Sequence, residues 1–311
     1  MLYARLSNRR VFVDWRDQVY SEDGSNAFPH FFSLTPPCID DHTAISTTSV
    51  YPVIWFKHLD APLNKLVRQY YPNKTIHPLF LRRLSINPAI IDYQEDALIT
   101  FSFSEYIHQM RKHFRGSFSY LENWNNKTIL RYLVKEYLHP HPIIKEAIQK
   151  YQSELFTKTT VGIHLRYTDK RCRIHKIERK LSMFLKQHPR TNVLLATDNP
   201  KMEAIFQKRY PSRIITLAKW YPKDGDCLHL NSNSPNRLQH GQQAITELYL
   251  LASCDYLIYD ESSTFGHVAS LISDAHVSHH LNVYPFHFLQ RWLRHDLWNL
   301  QRALKAKLLQ R

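Results

Sequence analysis

The sequence predicts an α/β fold whose second half is a doubly wound parallel sheet. Two observations carry this. From about residue 157 onward, short apolar runs alternate with stretches whose apolar residues recur at helical spacing, and the links between them are short. The residues just after these runs are polar or charged, which suits the carboxyl edge of such a sheet, where ligands bind. In order, Thr159–Arg166 reads as a buried strand and His175–Gln187 as an amphipathic helix with Ile177, Leu181 and Leu185 on one face. Asn192–Asp198 is a second strand, and Lys201–Tyr210 a helix with Met202, Ile205 and Phe206 inward. Arg213–Leu217 is a third strand and Gln242–Ser253 a strongly apolar helix. Tyr256–Asp260 is a fourth strand, backed by a helix over Ser262–Ile272, and Trp292–Leu309 reads as a final basic helix.

The first half is less regular, and the chain divides near residue 156. A short helix at the start precedes a strand at Arg10–Trp15 and a loop rich in Ser, Gly, Pro and Asp from Arg16 to Thr48. A polar helix around Leu63–Tyr71 and a strand at Ala97–Phe101 follow. Two helices, near Lys127–Leu138 and Ile143–Leu155, close this half, punctuated by His139-Pro140-His141-Pro142.

Composition bounds the function. The chain has 311 residues, 43 % of them hydrophobic, which suits a folded protein of two domains rather than a disordered one. No apolar run is long enough to cross a bilayer, and the N-terminus lacks the apolar core of a signal peptide. Cys38, Cys172, Cys227 and Cys254 are widely spaced, so they read as thiols of a reducing compartment, not as a disulfide frame or zinc site. The expected location is cytoplasmic, and the sequons at Asn73 and Asn126 carry little weight there. The nineteen histidines show no H-E-x-x-H or other metal-ligand spacing, so no metal is expected. The formal charge of +14 suggests an anionic partner: a phosphorylated ligand, an acidic membrane or nucleic acid. No nucleic-acid-binding motif accompanies it, so no nucleic-acid partner is expected.

The chemistry sits after the strands. Arg166 ends the first strand, and a guanidinium matches phosphate oxygens in bidentate geometry and stays charged. Alternatively it pairs with a surface carboxylate. His164 lies two residues earlier and so on the same sheet face; a core histidine is the plainer reading. Ser262, Ser263 and Thr264 precede an apolar helix, where hydroxyls serve as a cap and backbone amides as an anion site. Asp198 is placed to cap the helix at Lys201, and Glu247 to face solvent on its helix.

These residues resemble a family. Val161–Lys170, VGIHLRYTDK, looks like the H-x-R-R-x-D signature of alpha-1,6- and nodulation-type fucosyltransferases. Leu194–Pro200 resembles the family's A-T-D-D-P, Ala244–Tyr259 the helix and strand carrying its guanine-recognising acid, and Glu261–Ala269 its S-S motif before a helix. Val11–Ser21 resembles the nodulation-type first half. The four motifs occur in the family's order and cover the second half well, the first half thinly. The resemblance implies a GT-B fold of two Rossmann-like domains. Residues 1–156 would form the acceptor side and residues 157–311 the nucleotide-sugar-binding domain. It also implies transfer of L-fucose from GDP-β-L-fucose to a glycan hydroxyl, with inversion and without a metal or other cofactor.

By position, Arg166 would hold the donor's β-phosphate, supported by Asp169 and Lys170. His164 and Glu247 would recognise the guanosine, and Ser263, between Ser262 and Thr264, would hold phosphate. Asp198 would lie at the donor, with Asn199 and Tyr167 beside it. Three positions depart from the pattern: Tyr167 replaces the signature's second arginine, Asn199 the second aspartate, and Glu247 the usual aspartate. A glutamate proposed as general base in relatives has no match, because Ile174 stands there and Glu178 lies one helical turn further on. Relatives open on a strand and a glycine-containing loop before the first helix. Here Leu2-Tyr3-Ala4-Arg5-Leu6 reads as that helix and the first glycine is Gly24, so the resemblance implies that strand and loop are missing or lie upstream. Two other functions fit the same residues: a GT-B transferase using another GDP-sugar, or a non-catalytic basic protein binding nucleic acid or anionic lipid. The charge further suggests peripheral contact with an anionic membrane and a lipid-linked acceptor.

Overall fold

The computed structural model describes residues 1–16, 19–40, 45, 48–61, 67, 69, 83–101, 106–169, 172–222, 228 and 233–284. The expected helices at Leu63–Tyr71 (apart from Val67 and Gln69) and Trp292–Leu309 lie outside these residues, as do Lys170 and Cys227. Contacts group the chain into two units, Met1–Ala147 with His229–Thr246, and Ile148–Leu228 with Glu247–Arg311. The break at Ala147 falls inside a helix, Pro142–Leu155, and not near residue 156 where that helix ends. Sequence punctuation marks where a helix stops; packing decides which residues belong together.

The first unit is made of short pieces. Its helices are α1 (Leu2–Leu6), α2 (Ile107–Met110) and α3 (Asn126–Tyr137), and α4 (Pro142–Leu155) begins in it. Its strands have two residues each: β1 (Val11–Phe12), β2 (Phe32–Ser33), β3 (Cys38–Ile39), β4 (Val50–Tyr51), β5 (Ala97–Leu98) and β6 (His139–Pro140). They pair as β1–β3 and β4–β5, both parallel, and β2–β6, antiparallel. One core gathers Val50, Leu84 and Ala97 around a fully buried Trp55, whose indole N–H donates to the Leu84 carbonyl at 2.8 Å. A second gathers Leu2, Ile107, Met110, Phe114, Leu121 and Ile129. Asn125 caps α3, accepting from the Thr128 amide at 2.9 Å.

The second unit is built on one parallel sheet. Its strands are β7 (Thr160–Leu165), β8 (Asn192–Thr197), β9 (Ile214–Ile215), β10 (Tyr256–Tyr259) and β11 (His280–Asn282), in the order β11-β10-β7-β8-β9. Its helices are α5 (Ile174–Gln187), α6 (Pro200–Arg209), the end of α7 (Arg237–Ala252) and α8 (Thr264–Ile272). The strand order reverses at β7, which lies between β8 and β10, so the doubly wound expectation holds and the switch point lies between β7 and β10. Every residue of β7 is buried, as a central parallel strand requires. Its odd face (Val161, Ile163, Leu165) packs with Ile177, Leu181 and Phe184 of α5 and with Met202 and Phe206 of α6. Its even face needs a glycine: a Cβ on Gly162 would come within 2.8 Å of Leu251 Cδ1 and 3.2 Å of its carbonyl oxygen. β11 was not anticipated, because its three residues are only half-buried and His-Leu-Asn carries no apolar run. α7 starts at Arg237, five residues before the apolar stretch that announced it.

Candidate active site

The switch point concentrates polar groups. Arg166 follows β7, and its guanidinium donates twice to Asp169, from Nε to Oδ1 at 2.7 Å and from a terminal nitrogen to Oδ2 at 2.6 Å. The pair is partly exposed, with side chains 17 % and 27 % accessible. The carboxylate thus fixes the plane of the guanidinium.

Across the switch point, β10 is followed directly by Asp260, whose buried side chain organises the next turn. It accepts from the Ser262 hydroxyl at 2.6 Å and the Ser262 amide at 2.9 Å, and its other oxygen accepts from Arg173 at 3.1 Å. Burial pushes this carboxyl up, but the bonds from Ser262 and Arg173 together hold it below its ordinary value. Arg173 also lies over the Tyr284 ring at 3.4 Å. Asp260 therefore takes up Ser262, one of the three expected phosphate ligands. Ser263 takes the N-cap position of α8 but makes no side-chain cap bond, and its buried Oγ has no hydrogen-bond partner among the described residues. A buried hydroxyl left unsatisfied at a helix N-terminus, beside a sheet edge, is placed for an anion. Thr264 is the exposed first residue of that helix.

His164 packs on the same side. Its ring stacks on Phe265 at 5.0 Å, and Gly266 allows the approach, since a Cβ there would lie 3.3 Å from His164 Nδ1. That nitrogen is buried with no hydrogen-bond partner among the described residues. Burial first, then the charges of Lys219 and Arg166, push the imidazole down to about 3, so it is neutral near neutral pH.

Glu247 is not the exposed helix residue its neighbours suggested. It is buried and pairs with Lys219, Nζ to Oε1 at 2.5 Å. Burial raises its carboxyl, Lys219 opposes this, and Glu203 and Asp198 add to the rise. Asp198 does not cap α6. It accepts from the Tyr167 amide at 2.6 Å and the Thr168 hydroxyl at 2.6 Å, so it holds the turn after β7 that carries Arg166. The cap is Asn199, which accepts from the amides of Lys201 and Met202 at 3.0 and 3.2 Å. An aspartate one residue earlier reaches across to the neighbouring strand end instead. Tyr167 is half-buried and packs its ring at the edge of the α5–α6 core. Glu178 pairs with Arg209 of α6.

Arg166, Asp169, His164, Ser263, Glu247 and Asp198 thus all belong to the second unit. Lys219 and Arg173 were missed, and Asp260, which closes the fourth expected strand, was given no role. The rule that ligands meet the residues after each strand would have found Lys219, four residues past β9. Arg173 gave no signal of its own. Among the described residues, no group of three or more His, Cys, Asp or Glu side chains could hold a metal ion, and no helix is long and apolar enough to cross a membrane.

No family model and no curated protein sequence matches the chain. Solved structures do. NodZ alpha-1,6-fucosyltransferase soaked with GDP-fucose superposes with a TM-score of 0.57 and 19 % identity, over 88 % of this chain and 85 % of that one. The fucosyltransferase NodZ from Bradyrhizobium gives 0.51 and 17 % over the same shares. A point mutant of Arabidopsis thaliana FUT1 in complex with GDP gives 0.51 and 14 %, over 88 % of this chain and 64 % of that one. The chain has the fold of these fucosyltransferases. It is thus an α/β protein of the GT-B class, as the motifs in its second half implied. In this fucosyltransferase fold the described switch point carries Arg166 on one side and Ser263 on the other.

Proposed function

We propose that the chain is an inverting, metal-independent fucosyltransferase that moves L-fucose from GDP-β-L-fucose to a glycan hydroxyl. The observation that carries this reading is the pairing, at one sheet edge, of an oriented guanidinium (Arg166) with a buried, unsatisfied hydroxyl at a helix N-terminus (Ser263). Both suit a diphosphate. The neutral His164 and the buried Glu247 lie in the same unit and suit a polar heterocycle, and the fold is that of structures solved with GDP or GDP-fucose.

In this mechanism Arg166 meets the β-phosphate and offsets the negative charge that builds on it as the bond to fucose breaks. Asp169 keeps the guanidinium in the required plane, and Asp198 holds the turn on which it stands. Asp169 and Asp198 are positioning residues here, not ligands of the donor. The acceptor hydroxyl attacks the anomeric carbon from the face opposite the leaving diphosphate. Its proton goes to a base outside the residues named, since Glu178 is paired with Arg209. The net charge of +14 supports work at an anionic membrane surface from the cytoplasmic side, on a lipid-linked glycan.

Thermal unfolding with GDP, GDP-fucose, GDP-mannose and UDP tests the reading. A ligand at a hundred times its dissociation constant adds about 2.7 kcal/mol to the folded state. The expected result is a clear shift with GDP and GDP-fucose and none with UDP. An equal shift with GDP-mannose and transfer of mannose would replace fucose as the donor sugar, and no shift with any guanine nucleotide would end the proposal.

A further inference from the structure

Lys219 is the buried cation that the motifs leave without a role. It follows β9, its side chain is 8 % exposed, and it lies against Glu247, itself 10 % exposed. A carboxylate has two oxygens and an ammonium three hydrogens. Among the described residues the ion pair engages Glu247 Oε1, which leaves Oε2 and two ammonium hydrogens to meet a ligand. Tyr221 lies under the ammonium, with its ring centroid 5.6 Å from Nζ, and does not compete for Glu247: its hydroxyl donates to Glu203 at 2.7 Å. Lys219 also stands close enough to His164 to help Arg166 keep that imidazole neutral, and it is Lys219 that pairs with Glu247.

A side-chain pair that offers a donor beside an acceptor complements a base edge that offers an acceptor beside donors. Guanine has that edge: O6 accepts, while N1–H and the 2-amino group donate. Adenine presents the reverse, a 6-amino donor beside an N1 acceptor. We infer that Lys219 is a specificity-determining residue of the nucleotide pocket, its ammonium donating to O6 of guanine while Glu247 accepts from N1–H and the 2-amino group. The inference rests on the guanosine-diphosphate reading above. Two consequences follow from the shared burial of the pair. Lys219 offsets the cost of burying the Glu247 carboxylate, and adenine would leave both ends facing groups of the wrong kind, which a buried site rejects strongly.

Calorimetric binding of GDP, IDP and ADP to the whole chain, wild type and Lys219→Met, tests this. The wild type should prefer GDP to ADP by about tenfold or more, the range of a hydrogen bond to a charged group. Lys219→Met should weaken GDP by about that factor and lower the GDP-to-ADP ratio by a similar factor, leaving only the discrimination due to Glu247. IDP keeps O6 and N1–H but lacks the 2-amino group, so it should suffer from the substitution as GDP does. Lys219→Arg, which keeps a charged donor, should retain the preference for GDP. If Lys219→Met does not fold, Lys219→Leu, which also lacks a donor, takes its place with the same criteria. Equal loss of GDP and ADP would reduce Lys219 to a support for Glu247 and overturn the inference, as would a preference for GDP that the substitution leaves intact. A wild type without preference between GDP and ADP would instead overturn the guanine reading itself, and this inference with it.

Discussion

The two units of the chain solve the same problem in opposite ways. The second unit has one continuous parallel sheet, whose central strand is buried along all six residues and flanked by helices on both faces. The first has, among the described residues, three separate ladders of two-residue strands, held by single large side chains and by arginines reaching carbonyl groups. Arg9 typifies the first unit. It donates to the carbonyls of Tyr93 at 2.7 Å, Glu95 at 2.8 Å and Asp96 at 3.0 Å. Arg166 typifies the second. Its backbone is fixed by the strand it follows, and its head group is held by a charged partner at the sheet edge. A constellation that must meet a diphosphate needs strand ends in register, and only the sheet supplies them.

The largest expected effects lie in the cores, and they break the comparison most directly. Trp55→Ala empties the centre of a small core and orphans the Leu84 carbonyl, so it should cost about 3–5 kcal/mol. Ile163→Ala, in the middle of β7, should cost about 2–5 kcal/mol. Chemical denaturation of both variants measures this. If the sheet is the more adaptable frame, Ile163→Ala falls at the low end of its range and Trp55→Ala does not. A Trp55→Ala variant within about 1 kcal/mol of wild type would mean the ladders, not the tryptophan, hold the first unit together.

The two arginines sharpen the comparison. Arg166→Ala should lower turnover with GDP-fucose by about 100- to 1000-fold, the range seen when a preorganised charge-stabilising donor is lost. Its effect on unfolding should be small, because the pair it leaves is partly exposed. Arg9→Ala should do the reverse, lowering the unfolding temperature while leaving turnover of the folded fraction near wild type. Near-normal turnover in Arg166→Ala would remove the proposed mechanism.

How much of this was legible in the sequence follows the same divide. β7, β8 and β10 were legible because a buried parallel strand is a short apolar run bounded by polar residues. Of the two-residue strands of the first unit, β1 and β5 fall within the expected strands Arg10–Trp15 and Ala97–Phe101; β2, β3, β4 and β6 carry no such pattern, since what holds them is a carbonyl here and an indole there. At the site, the residue types were legible and the partners were not. Asp198 and Asn199 are neighbours with equal capping preference, and only the position of the turn at Tyr167 decides that Asn199 caps α6. Glu247 sits among apolar residues, which spacing alone allowed to face solvent. Its burial depends on Lys219, twenty-eight residues away in sequence, an interaction no local pattern contains.

The smallest effect expected reports on the second unit alone. His164 is neutral in the folded protein, held down to about 3 by burial and then by Lys219 and Arg166. In the unfolded chain it titrates near 6.5. Between those values the unfolded state binds the extra proton, so stability falls as pH falls, by up to about 1.4 kcal/mol per pH unit, and is fully present above 6.5. Other groups bend the curve. Glu247, raised by burial, pulls the opposite way just above the ordinary carboxylate range, and Asp260, held low mainly by Ser262 and Arg173 against its burial, adds to the loss only below about pH 4. The difference between wild type and His164→Gln cancels both. Denaturant unfolding of the two proteins from pH 7.5 down to 4.5 should therefore show a steeper loss in the wild type. Parallel curves would mean that the imidazole takes up its proton in the folded state, and a neutral His164 could then no longer be part of the base pocket.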